Sequence, residues 1–300
     1  MSCYSPNYIL KWHCSPRMVL ETRYAQKHDK NKSGWKAPNE GYNFLYKFFT
    51  GYDYDVFKKE HVKDELDGFK YEVVQIPCGC CIGCRLDYSR QWANRCYLES
   101  LGSEHTYFIT LTYDDENVPI GKNGNNTLRP DDLKKFLKDL RAYYKYHYNL
   151  DNIRFFACGE YGDMSLRPHY HLICFNLPIY DLDPNFIYEE NGKKYITQHV
   201  ENGYIYYYSD IIHKIWNKGN ILIGEATWQS MAYVARYVTK KIKGKDAEVY
   251  DALGIESEFV RMSRMPGIGE AYFKEHYKEI YLNDNIIIFN GKQANACQPP

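Results

Sequence analysis

At 300 residues the chain is long enough for one large or two modest domains with a sizeable apolar core. Its 38 basic and 38 acidic residues cancel, so overall charge gives no ground for assigning nucleic-acid binding, and no apolar run nears the roughly 18 residues of a membrane span. No basic segment followed by an apolar one opens the chain, so the expectation is a soluble, intracellular protein whose 10 cysteines are reduced or metal-bound.

In chain order, residues 1–30 read as polar and irregular, and 30–68 as short strands and loops. Segment 71–76 alternates like a strand and runs into Pro77 and a cysteine cluster. Residues 85–101 predict a helix with Leu86, Trp92, Ala93, Cys96 and Tyr97 on its apolar side. Segment 106–113 is a strand of β-branched and aromatic residues, followed by a Gly- and Asn-rich loop at 120–128. Pro130 with Asp131 and Asp132 opens a second helix, in which Leu133, Phe136, Leu137 and Leu140 recur at helical spacing. Strands follow at 153–158 and 169–175 with a turn between them, then a loop or small hairpin at 178–204. A helix at 209–216, a strand at 221–224 and a helix at 228–242 complete the pattern. The stretch 106–242 thus reads β-α-β-β-α-β-α, which predicts an α+β domain with an antiparallel sheet and helices on one face.

Two motifs carry chemistry. His169 and His171 flank one residue on a strand and share a face, while Tyr170, Leu172 and Cys174 face the other way. Such a pair is often mere packing, but a hairpin turn brings Glu160 beside it and Pro168 fixes the chain before it. Two imidazoles and a carboxylate leave open positions, which with phosphate oxygens suit Mg²⁺ or Mn²⁺. Tyr233 and Tyr237 lie one helical turn apart, and Arg236, Lys240, Lys241, Lys243 and Lys245 make a basic run before Asp246. That run is a candidate phosphate grip, although basic helix ends also arise to complement the dipole. The 31 tyrosines suit stacking on bases, and equally an AT-rich coding sequence. Separately, Cys78, Cys81 and Cys84 step by three, with glycines at 79 and 83 permitting tight turns. A fourth thiolate would close a structural Zn²⁺ site; Cys3 is the candidate, with Cys96, Cys14 or Cys80 as alternatives.

Thr-Leu-Thr-Tyr at 110–113, Pro-His-Tyr-His at 168–171 and Tyr-Val-Ala-Arg-Tyr-Val-Thr-Lys-Lys at 233–241 together resemble the three motifs of HUH endonucleases, in their usual order. The two-tyrosine third motif resembles the rolling-circle replication initiators of microviruses, which are small single-stranded DNA phages. The cysteine run and Met-Ser-Arg-Met-Pro-Gly-Ile-Gly at 262–269 are similar to that group too. The resemblance implies a ferredoxin- or RRM-like antiparallel sheet flanked by helices, with a Cys-rich N-terminal region. It divides the chain into 1–104, an endonuclease core at 105–245 and an extension at 246–300, whose last residues match nothing expected. His169, His171 and Glu160 would hold the catalytic Mg²⁺ or Mn²⁺. Tyr237, followed closely by lysine, would be the better-supported nucleophile and Tyr233 the second, with Lys240 or Lys241 at the scissile phosphate. The implied reaction nicks one strand of origin DNA, leaving a 5′-phosphotyrosyl link and a 3′-OH for host polymerase and helicase in the bacterial cytoplasm. A related transposase or relaxase, and a non-catalytic single-strand binder, remain alternatives; motif order argues against a relaxase.

Overall fold

The computed structural model describes residues 3–4, 6–28, 34–38, 44–60, 65–66, 69–162, 165–183, 187–190, 193–196, 205–240, 248–283, 286–290 and 293–297. The chain divides into two compact units, Met1–Asp87 and Tyr88–Pro300.

The first unit holds β1 (Asn7–Trp12), α1 (Pro16–Lys27), β2 (Leu45–Phe49), α2 (Gly51–Glu60), β3 (Glu65–Leu66), β4 (Phe69–Ile76) and the start of α3 (Ile82–Leu101). Its sheet has the order β2-β1-β4-β3, all antiparallel. The expected irregular start is corrected here: 7–12 is a central strand and 16–27 a helix. Ser15 caps α1 by accepting from the Met18 amide, and Pro16 sits where a missing N–H costs nothing. The helix escapes a periodicity reading because Val19 is its one fully buried residue. Helix α2 also corrects the strand-and-loop reading of 30–68; Thr50 opens it by accepting from the Asp53 amide.

The second unit continues α3 and adds β5 (Thr106–Thr112), α4 (Pro130–Tyr148), β6 (Arg154–Tyr161), β7 (Pro168–Phe175), β8 (Ile187–Glu190) and β9 (Lys193–Ile196). Then come β10 (Tyr206–Tyr207), α5 (Asp210–Trp216), β11 (Ile221–Glu225), α6 (Trp228–Lys240), α7 (Glu248–Leu253), β12 (Phe259–Met262), α8 (Glu270–Asn283), β13 (Ile286–Asn290) and β14 (Gln293–Cys297). The β-α-β-β-α-β-α pattern is therefore present. The main sheet has six antiparallel strands in the order β10-β11-β5-β7-β6-β12. Its edge strand β12 comes from the region beyond 245, to which no element was assigned.

Helices cover both faces, which corrects the one-face expectation. On one face Ile109, Leu111, Tyr170 and Leu172 meet Leu133, Phe136 and Leu140 of α4 and Ile212 and Trp216 of α5. On the other, Phe156, Ile173 and Phe175 meet Cys96 and Leu98 of α3, Met231 and Val234 of α6, and Ile280 of α8. Strand alternation sends neighbours to opposite cores, and each large side chain fully buried contributes about 1.5–3 kcal/mol of transfer free energy.

The helix ends are set locally. Pro130 opens α4, and Asn149 closes it at φ 53°. Ser209 caps α5 through the Ile212 amide. Thr227 and Ser230 satisfy each other's amides in a reciprocal cap that fixes where α6 starts. Gly219, at φ +145°, lies against the backbone of Thr112 and Asp114, where any Cβ would overlap it.

Candidate active site

The pairing register assembles the site. In antiparallel strands, directly opposed residues point to the same face. Glu160 of β6 opposes His169 of β7, and Thr112 of β5 opposes the same histidine from the other side. One step along, Thr110 and Cys158 flank His171. Strand β6 continues to Tyr161, so Glu160 is held on a central strand rather than in the turn.

Glu160 Oε1 lies 2.8 Å from His169 Nε2 and 2.7 Å from His171 Nε2. The carboxylate and His171 are buried. Burial would raise the Glu160 pKa, but hydrogen bonds from the two histidines outweigh it and bring the carboxyl down to about 2. His169 Nδ1 lies 3.0 Å from the Arg167 carbonyl, which can only accept, so Nδ1 is assigned the proton. Nε2 of a neutral ring then presents a lone pair toward a carboxylate. Three ligand atoms within 4.8 Å of one another and facing inward are a donor set that a cation satisfies. His171 is oriented by Thr110, whose Oγ1 lies 3.0 Å from Nδ1, and by the Phe108 ring stacked at 5.5 Å between centroids.

Helix α6 crosses this cluster. Its Tyr233 hydroxyl is 3.4 Å from His171 Nε2 and 3.5 Å from Glu160 Oε1. The Tyr237 ring stacks on His171 at 5.9 Å, and the two tyrosine rings are 5.3 Å apart. The hydroxyls are hydrogen-bonded, with Tyr237 donating to Tyr233. Burial raises both phenol pKa values; the bond from Tyr237 and the nearby Arg236 charge partly offset this at Tyr233. Arg236 lies over the Tyr233 ring at 5.1 Å. Tyr237 is only 5% exposed. Tyr233 lines a cavity of about 760 Å³ with Phe108, Thr110, Tyr206, Glu225 and Gln229.

The structure therefore brings together Glu160, His169, His171, Tyr233, Tyr237 and Arg236. The Lys240 side chain and all of Lys241, Lys243 and Lys245 lie outside the described residues. Cys3, Cys78, Cys81 and Cys84 converge in the first unit. Sequence reasoning overlooked Phe108 and the cavity residues Tyr206, Glu225 and Gln229. Phe108 was within reach, since it lies two residues before Thr110 on the same strand face. Arg167 was also missed; it grips the Tyr113 carbonyl at 2.8 Å and Asp115 at 2.7 Å, tying the β6–β7 turn to the end of β5. The 262–269 stretch is clasped by a buried ion pair. Arg154 pairs with Glu99 and donates to the Pro266 and Gly267 carbonyls, while Glu99 accepts from the Gly269 amide.

Residues 106–242 match the protein family described as replication-associated protein ORF2. The chain is 38% identical over 226 residues to replication-associated protein ORF2 of Spiroplasma virus 4, covering 75% of this chain and 65% of that protein. It is 31% identical over 242 residues to replication-associated protein VP4 of Bdellovibrio phage phiMH2K, covering 80% of this chain and 69% of that one. It is also 31% identical over 235 residues to replication-associated protein ORF4 of Chlamydia phage 1, covering 76% and 53%. The chain thus spans 53% to 69% of the length of these relatives. No solved structure matches it.

Proposed function

Since the chain belongs to the replication-associated protein family, we propose that it is a metal-dependent, site-specific DNA nickase that starts rolling-circle replication of a microvirus-like phage. In this reading it is an HUH endonuclease with two tyrosines, and its catalytic core is 105–245. The observation that carries the reading is the Tyr233 hydroxyl poised 3.4 Å from His171 Nε2, above three convergent metal-ligand atoms.

Glu160, His169 and His171 would hold Mg²⁺ or Mn²⁺. When bound, the ion polarises the scissile phosphate and offsets charge on the departing oxygen. The chain's own residues do the rest. The Tyr233 oxygen attacks phosphorus and gives up its proton, and the P–O3′ bond breaks. The released oxygen takes up a proton as a 3′-OH, and the 5′-phosphate remains on tyrosine. The hydrogen bond from Tyr237 and the Arg236 guanidinium stabilise the developing phenolate. Lys240 and Lys241 act as phosphate contacts, with Lys243 and Lys245 further along the strand. Phe108 and Tyr206 provide stacking surfaces for a nucleotide beside the nick, and Glu225 and Gln229 provide polar edges to read it.

The sequence pattern ranks Tyr237 first, but the burial of Tyr237 and the position of Tyr233 favour Tyr233 for the first cut. Tyr237 then attacks the regenerated origin, and the freed 3′-OH closes the displaced circle. Host helicase and polymerase extend the primer in the bacterial cytoplasm; no helix among the described residues is long and apolar enough to cross a membrane.

The test is incubation with Mn²⁺ and labelled single-stranded oligonucleotides tiling the cognate origin. A denaturation-resistant protein–DNA adduct on one oligonucleotide is expected. Binding without any covalent adduct would leave only the single-strand-binding alternative.

A further inference from the structure

A second group of ligands, in the first unit, takes no part in the nicking reading. Cys3, Cys78, Cys81 and Cys84 each place a sulfur within 4.8 Å of the other three. The Cys81–Cys3 and Cys78–Cys84 sulfurs are 3.8 and 3.9 Å apart. Disulfide sulfurs stand about 2.0 Å apart, so these pairs are not bonded. A tetrahedral ion with metal–sulfur bonds of about 2.3 Å sets its ligands about 3.8 Å apart, which is the separation seen.

The backbone is arranged for thiolates. The Cys78 amide donates to Cys3 Sγ at 3.3 Å, Cys81 to Cys78 Sγ at 3.3 Å, and Cys84 to Cys81 Sγ at 3.5 Å. Amides aimed at sulfur favour its charged form, the one that binds metal. Gly79, at φ +76°, makes the turn that lets successive amides face inward.

The structure also selects the fourth ligand from the alternatives. Cys14 is buried in the first unit's core and Cys96 in the second unit's. Cys80 is exposed, reaches Cys78 at 3.6 Å, and stands outside the convergent group.

We infer that Cys3, Cys78, Cys81 and Cys84 bind one Zn²⁺ in a closed structural site that makes folding of the first unit metal-dependent. Four thiolates select zinc over Mg²⁺ or Mn²⁺ and leave no open position for substrate. The location explains the use. Strands β1 and β4 end at the Asn7–Ile76 pair, and Cys3 and Cys78 lie just beyond it on either chain segment. The ion ties that open end together across 75 residues of sequence and fastens it to the first turn of α3 through Cys84. Ligand binding of this kind is itself folding free energy.

The experiment uses the reduced full-length chain. Zinc is measured after gel filtration, and a Co²⁺-substituted form is examined by absorption. About one zinc per chain is expected in the wild type, in Cys80→Ser and in His171→Ala, with a strong thiolate-to-cobalt charge-transfer band. Cys3→Ser and Cys81→Ser should each weaken zinc binding by at least about tenfold. The wild-type cobalt spectrum requires no variant to fold. Its lack of the thiolate band would overturn the inference, as would bound iron with sulfide, or metal lost in Cys80→Ser but kept in Cys3→Ser. None of these outcomes bears on the nicking reading, because His171 belongs to the other site.

Discussion

Replacing Thr110 by valine tests how the sheet builds the metal site. The two side chains have nearly the same shape, so the strand and its packing persist. What disappears is the 3.0 Å hydrogen bond between Thr110 Oγ1 and His171 Nδ1. With Thr110 accepting, Nδ1 carries the proton and Nε2 keeps its lone pair for the ion; valine cannot accept. His171 is buried, and removing a hydrogen-bond partner from a buried polar group costs about 1–3 kcal/mol. At about 1.4 kcal/mol per tenfold, that is about 5- to 150-fold in Mn²⁺ affinity. Partners that orient metal-bound histidines generally carry about 10- to 100-fold, in agreement. Mn²⁺ binding followed by electron paramagnetic resonance is the assay, with circular dichroism to confirm folding. Thr110→Ser keeps the hydroxyl and should bind nearly as the wild type does. A folded Thr110→Val with Mn²⁺ affinity within about twofold of wild type would refute the reasoning.

Other perturbations give distinct outcomes. Tyr233→Phe should reduce the first nick by more than about a thousandfold, whereas Tyr237→Phe should nick once and fail to release closed circles; gel analysis of labelled origin DNA separates the two. Chelation of divalent ions should stop nicking and leave the fold of the second unit intact by circular dichroism. Arg154→Met should destabilise the second unit by about 3–5 kcal/mol, because Glu99 would remain buried without its ion pair; urea unfolding reads this, and a loss under about 1 kcal/mol would contradict it. Glu160, held at about 2 against 4.5 unfolded, contributes stability that is complete above pH 4.5 and lost as pH falls through about 2. The advantage of metal-free wild type over Glu160→Gln in urea should therefore shrink across that window; a constant difference would show that the carboxylate's ionisation is not what stabilises it.

Much of the second unit was legible because its signals are local. Strands such as 106–112 and 168–175 are dense in β-branched and aromatic residues, and α4 carries Pro130, two acids and an apolar stripe within one window. The histidine pair and Glu160 could be grouped because a short turn joins their strands, although the direct opposition of Glu160 and His169 is a register that spacing alone leaves open. What remained hidden depends on distant partners. Strand β12 has four residues, too few for periodicity, and exists through pairing with β6, far earlier in the chain. The second helical layer rests on α3 and α8, whose buried faces include Cys96, Tyr97 and Ile280 among many polar residues. Helix α1 buries too little to announce itself. Tyr233 and Tyr237 share a stripe, so sequence could pair them but could not say which one faces the cavity and which is covered.

The central claim is that a tyrosine of α6 becomes covalently bound to DNA at the His–His–Glu cluster. Mass spectrometry of the adduct formed by the wild-type chain on an origin oligonucleotide, with Mn²⁺ present, tests it most directly. The account predicts a phosphonucleotide on Tyr233 after the first cut. An adduct on Tyr237 alone, on a residue outside α6, or no adduct with DNA bound would contradict it.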